Sequence, residues 1–376
     1  MPRHFTCVLL ISLALVATTR LRAQAPAGMD TVTYGNGEKL VGHFDGVSNG
    51  AAKFKSDQLG EIAIDLNKLQ ELHSTEKFAV VRKGVKLHKH ETDGNVLRGT
   101  ITIANKMVQV DPGNGQPVVT VAIGDVDDIV EEATYLGAFR SPGIFHDWKG
   151  AIALGVSLVE ATQNSTSFNT VIALARVMPP ASQNWLPASN RTLIGFSDSY
   201  GKVTQPGTPT VLTSIYHAEA ERDQYFDSTA IFAFASTAFD HNFSQGLDLQ
   251  QVYGGGIGWT VLKKPNQTLD LKGSINYERQ SFQIPALDHS LATSIFAEDY
   301  KRTLAHGIAI NQQLSISPAW NDLHAYSAYG AVGVVLPIYK RFGFSVNVID
   351  SYLNDPPPGF KTNSVQFTTG ISYTLP

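Results

Sequence analysis

The chain has 376 residues, 43% hydrophobic and only 16% charged, with 29 basic and 33 acidic side chains giving a formal net charge of −4. That balance argues against nucleic acid or a cationic membrane-surface patch as the partner. The 32 glycines and 13 tyrosines suit many strands joined by tight turns better than helices, and the length allows one or two domains.

Residues 1–25 read as a secretory signal: Arg3 and His4, an apolar run over 7–17, then the small-x-small pattern Ala23-Gln24-Ala25. The run is too short to cross roughly 30 Å of hydrocarbon, so a cleaved leader is expected rather than a retained anchor. Cys7, the single cysteine, precedes the apolar core, which disfavours acylation and leaves the mature chain without thiol chemistry. No later run approaches the ~18 apolar residues of a helical span.

Residues 30–132 carry a weak internal repeat. Gly37-Glu38-Lys39-Leu40-Val41-Gly42 is echoed by Gly94-Asn95-Val96-Leu97-Arg98-Gly99, and Glu61-Ile62-Ala63-Ile64-Asp65-Leu66 by Val118-Val119-Thr120-Val121-Ala122-Ile123. The offset is the same in both comparisons. Two small β-modules packed on each other are expected, because either alone buries too little apolar surface. Residues 133–147, with Ser141-Pro142-Gly143, read as a linker.

From residue 148 to 376 the pattern changes to about twelve alternating segments of roughly 11 to 16 residues, whereas soluble strands average about 5–6 and a tilted strand needs about 9–11 to cross a bilayer. They begin near Trp148, Ser165, Asn190, Val211, Ser228, Gly246, Gln267, Ser290, Ala305, Asn321, Arg341 and Lys361. The clearest is 268–278. Leu269, Leu271, Gly273, Ile275 and Tyr277 share one face, and Asp270, Lys272, Ser274, Asn276 and Glu278 the other. An oily face beside a charged one suits a barrel with lipid outside and a wet interior, so these five polar residues are lumen-facing candidates. Around Ile231-Phe232-Ala233-Phe234-Ala235-Ser236 both faces are apolar and the orientation stays open. At the end, Phe342, Phe344, Val346, Val348 and then Val365, Phe367, Thr369, Ile371, Tyr373 repeat the alternation on either side of the turn Asn354-Asp355-Pro356-Pro357-Pro358-Gly359. Connections alternate between longer (203–210, 240–245, 281–289, 354–360) and shorter (227–228, 263–266, 303–304, 337–340), with 178–189 and 162–165 as exceptions. The expected fold is all-β: a twelve-stranded antiparallel transmembrane barrel preceded by a small periplasmic β-domain of two repeats.

Trp148-Lys149-Gly150-Ala151-Ile152-Ala153-Leu154-Gly155-Val156-Ser157, Tyr253-Gly254-Gly255-Gly256-Ile257-Gly258-Trp259, and the strand 269–277 resemble the corresponding strands of the YdiY-like, or DUF481, family of outer-membrane β-barrel proteins. The chain departs from that family's Gly-Asn-Thr turn after the first strand, having Gln163-Asn164-Ser165-Thr166 instead. The resemblance implies an outer-membrane location and no enzymatic activity.

Other constellations are weaker. His88-Lys89-His90 could place two imidazoles on one side of a strand, but reads better as an exposed hairpin. Asp125, Asp127, Asp128, Glu131 and Glu132 lack a calcium-loop pattern. Gly254-Gly255-Gly256-Ile257-Gly258 has no helix after it and is no phosphate loop; glycines here let a strand bend or a large neighbour pack. A phospholipase barrel needs a serine beside a held histidine, and none of His217, His241, His289, His306 or His324 has a recognisable serine partner. Tyr200, Tyr216, Tyr225, Tyr300, Trp259, Trp320 and Tyr352 read as aromatic girdles. No catalytic residue, cofactor or metal ligand is assigned. Outer-membrane lipid is the expected partner, and nucleic acid is not. The role reads as structural or small-pore. The alternatives are a barrel-anchored periplasmic module recognising an envelope partner, and a soluble secreted β-protein.

Overall fold

A computed structural model describes residues 29–375 except 35–36, 49, 57, 86–95, 114, 139–142, 160–163, 180–185, 187, 206, 208 and 227–229. The leader at 1–25, the His88-Lys89-His90 hairpin, Ser141-Pro142 of the linker and the turn residue Gln163 lie outside the described residues. The chain divides into two compact units, Met1–Arg140 and Ser141–Pro376.

The first unit holds β1 (Asp30–Tyr34), β2 (Lys39–Ser48), β3 (Ala51–Ser56), β4 (Gly60–Asp65), β5 (Leu69–Arg82), β6 (Leu97–Ala104), β7 (Met107–Asp111), β8 (Val119–Ala122), β9 (Val126–Glu131) and the helix α1 (Glu132–Ala138). The repeat is visible in the matching 3-10 turns Leu66–Lys68 and Ile123–Asp125. Yet the two copies do not form separate modules. Their strands join in one nine-stranded sheet, β4-β3-β2-β1-β5-β6-β7-β8, with β9 pairing both β2 and β5. The reason lies in β5. Its first half pairs β1 through Leu72 and His73, and its second half pairs β9 through Phe78 to Arg82. One strand therefore closes the first copy and opens the second. Both copies feed one core, with Val32, Phe44, Phe54 and Leu72 packed with Phe78, Ile101, Ile103 and Ile129. Each such side chain contributes roughly 1.5–3 kcal/mol by leaving water. Gly46, at φ 123°, sits where β2 turns from β3 toward β9; a Cβ there would lie 2.3 Å from the Ile129 carbonyl oxygen.

Asp128 of β9 is buried. Burial holds its carboxyl above the usual aspartate range, neighbouring Asp127 raises it further, and the Ser48 hydroxyl opposes the shift. A group that binds its proton more tightly when folded contributes stability at low pH, and that contribution is lost as the pH rises through the raised value. Asp128→Asn is therefore expected to make the unit more stable at neutral pH and to flatten its pH dependence just above the ordinary carboxylate range. Thermal unfolding followed between about pH 4 and 8 checks this, and an unchanged slope would refute it.

The second unit is a closed antiparallel barrel: β10 (Trp148–Val159), β11 (Asn164–Met178), β12 (Asn190–Thr204), β13 (Val211–Tyr225), β14 (Ile231–Asn242), β15 (Leu247–Lys264), β16 (Gln267–Phe282), β17 (His289–Thr303), β18 (Ala309–Ser317), β19 (Ser327–Tyr339), β20 (Phe342–Leu353) and β21 (Asn363–Thr374). Strands run from 9 to 18 residues, the length a bilayer demands. Strand starts agree with the sequence pattern to within three residues, except that β18 begins late, after the 3-10 turn Ala305–Gly307, and β19 begins late because 318–326 forms no strand. Every strand meets its successor in a long ladder, such as Trp148 to Val159 of β10 against β11. The closing seam is different. There β10 pairs β21 through Ala151–Leu154 against Thr374–Ile371, four residue pairs, with the Leu375 amide also donating to the Gly150 carbonyl at 2.9 Å.

Candidate functional site in the barrel lumen

Alternation along β16 sends Leu271, Ile275 and Tyr277 outward, with Ile275 61% exposed. The same alternation places Asp270, Lys272, Ser274, Asn276 and Glu278 inside the barrel, where all but Lys272 are buried residues and its side chain is 8% exposed. What they meet there could not be seen in the sequence. Arg191 of β12 donates from Nε to Asp223 of β13 and from Nη1 to Asp270 of β16, each at 2.6 Å. Lys272 Nζ lies 2.6 Å from both Glu221 of β13 and Asp299 of β17. These two clusters are chords across the lumen, since β12 and β16 stand four strands apart in the ring.

The ambiguous strand β14 turns Phe232 and Phe234 inward, both buried. The Arg191 guanidinium lies 5.2 Å from the Phe232 ring and the Lys272 ammonium 5.7 Å from the Phe234 ring. Cations over ring faces are favourable, more so away from water. The glycines of β15 explain how rings fit here. Phe232 faces Gly258 and Phe234 faces Gly256 across the ladder, and a Cβ on Gly258 would sit 2.2 Å from the Phe232 ring. Sequence reading allowed for a large neighbour without identifying it.

Farther along the lumen, His217 Nδ1 lies 2.6 Å from Asp240 and Nε2 lies 3.7 Å from Glu219. Both ring nitrogens thus face carboxylates rather than a serine. The imidazole stacks at 5.2 Å on Tyr329 of β19, six strands away on the opposite wall. Gln280 donates to Glu278 at 2.6 Å, and Asn276 donates to Ser274 at 2.9 Å.

The end opposite Trp148 is bridged by the 3-10 turn Phe243–Gln245 between β14 and β15. Gln245 donates to the carbonyls of Ser351 and Thr362, at 3.0 and 2.9 Å, on the far side of the mouth. The Lys361 amide donates to the Ser244 carbonyl at 3.1 Å. Between this lid and the Lys272 cluster lies a chamber of about 220 Å³.

Of the aromatic residues expected in girdles, Trp259 and Trp320 are exposed, at 53% and 56%. Tyr225 instead follows Asp223 on the inner face of β13, its ring 5.2 Å from that of Phe232. A few polar groups face outward: Glu298 accepts from Gln312 at 3.2 Å, and Arg222 donates to Thr192. Among the described residues, no group of three or more His, Cys, Asp or Glu side chains could hold a metal ion.

A closed cylinder of long antiparallel strands, apolar outside and ion-paired within, is a barrel of the outer-membrane class. The family model described as "Protein of unknown function, DUF481" matches residues 152–375, and the chain belongs to that family. No curated protein matches the chain. Among solved structures, the β-domain of the Bordetella autotransporter BrkA is similar at 10% identity and a TM-score of 0.30, covering 61% of this chain and 98% of that one.

Proposed function

We propose that this protein sits in the outer membrane after export by its amino-terminal leader and serves a passive, structural role, with a lumen that is shut at rest. The observation supporting this is the set of contacts spanning the interior: Arg191 to Asp270, Lys272 to Glu221, His217 on Tyr329, and Gln245 to Ser351. A barrel of this strand number has an interior filled largely by side chains, so any conduit is narrow even when opened. Purified protein in planar bilayers is expected to show no unitary conductance, and the double variant Asp270→Ala with Lys272→Ala to show brief openings. A stable open level in the unaltered protein would overturn the reading.

A second reading is that the amino-terminal sheet recognises an envelope partner and the barrel anchors it. It is supported by β4 and β8, the end strands of that sheet, which among the described residues each pair on one side only. Such edges can accept an added strand. Capture from envelope extracts by the full chain, lost on deleting residues 29–138, is expected. Equal capture by the truncated chain would refute it.

A further inference from the structure

We propose that the rim of the barrel at the Trp148 end is a docking surface for the phosphates of anionic phospholipids, held by a collar of basic side chains. The proposal rests on the outer-membrane reading, and the two fail separately. A barrel that does not enter vesicles fails that reading, whereas an inserted barrel indifferent to lipid charge fails this one alone.

Antiparallel order gathers at this rim the first residues of β10, β16 and β20 and the last residues of β15, β17 and β21. Exposed cations stand there: Lys149 of β10, Lys263 and Lys264 at the end of β15, Arg302 of β17, and Lys340 and Arg341 in the turn before β20. Asp147 is the one exposed carboxylate of this rim among the described residues. The opposite rim differs, carrying exposed Asp248, Asp288, Asp322 and Asp355 against Lys202, Arg279 and Lys361. The chain's net charge of −4 conceals the collar, since the balancing carboxylates lie elsewhere in the fold. Nor are these cations used within the protein. Among the described residues, the Lys and Arg ion pairs of the barrel belong to Arg191 and Lys272, both inside the lumen.

A second, independent feature sets the depth. Trp259, Tyr339 and Phe342, at the same rim, are 53%, 63% and 52% exposed, and such aromatic side chains settle where hydrocarbon meets headgroups. The Lys340 ammonium lies 5.1 Å from the Tyr339 ring, so cation and aromatic share one level. Long basic side chains rooted there reach out to the phosphate layer. Positive charge without an internal partner selects anionic over zwitterionic lipid, by about fivefold for each cation near the surface.

The test reconstitutes the full chain in phosphatidylcholine vesicles holding a minor fraction of phosphatidylglycerol brominated on its acyl chains, and reads quenching of tryptophan fluorescence. Trp148 and Trp259 report from this rim. Relative to brominated phosphatidylcholine at the same fraction, phosphatidylglycerol is expected to be enriched about fivefold or more beside the protein. The combined variant Lys263→Gln, Lys264→Gln, Lys340→Gln, Arg341→Gln should abolish the enrichment. So should about 1 M sodium chloride on the unaltered protein, where the screening length falls to about 3 Å. Lys202→Gln with Lys361→Gln, at the opposite rim, should leave it unchanged. The proposal is overturned if phosphatidylglycerol is not enriched, if the combined variant keeps the enrichment, or if the opposite-rim variant loses it equally. It is also overturned if inorganic phosphate abolishes the enrichment at an ionic strength where chloride does not, which marks a site for free phosphate.

Discussion

Arg191→Met is expected to lower the unfolding free energy of the barrel by about 3–5 kcal/mol, the usual consequence of removing one partner from a buried ion pair. Arg191 is ion-paired to both Asp223 and Asp270, whose side chains are 0% and 4% exposed. Without it, two carboxylates face each other in a space with little water to screen them. The same guanidinium covers the Phe232 ring, so packing is lost with the charge. Denaturant titration in detergent measures the effect. Adding Asp223→Asn and Asp270→Asn to the methionine variant should recover most of the loss, because no uncompensated charge then remains. A single-variant loss under about 1 kcal/mol would mean the cluster behaves like a solvent-screened surface pair.

The second large effect is on the outer wall. Ile275, near the middle of β16, is 61% exposed, and Ile275→Lys should destabilise the protein by about 2–4 kcal/mol in liposomes if that face meets hydrocarbon at mid-depth. In water the same exposed substitution would change stability by no more than about 0.5 kcal/mol. The measurement therefore separates a membrane barrel from a soluble one with identical strands. Unfolding from lipid vesicles, compared between the variant and the unaltered chain, decides it.

How much of this could be read from the residues depends on how asymmetric each strand is. In β16, β20 and β21 one face is apolar and the other polar or small, so strand, register and direction follow from alternation alone. Strand length likewise separated the barrel from a sandwich. In β14 both faces are apolar, and only the glycines of β15 explain why Phe232 and Phe234 turn inward. The fusion of the two repeats was hidden because β5 is simply a long strand of 14 residues until its partners are known. The interior clusters were hidden for another reason. Arg191 lies 79 residues from Asp270, and the pair forms only once the cylinder closes. Gln245 reads as an ordinary turn residue, and its reach to Thr362 comes from the barrel's width.

The brief seam has a consequence for how the cylinder is made and unmade. First and last strands share four residue pairs, whereas β10 and β11 share twelve. Loop-closure entropy weighs against joining the two ends of a long chain, so this joint is the natural final step of assembly. It is also where unzipping should begin on heating. Amide deuteration should reach Ala151–Leu154 ahead of the neighbouring ladder, making the wall a row of staves held by one short clasp.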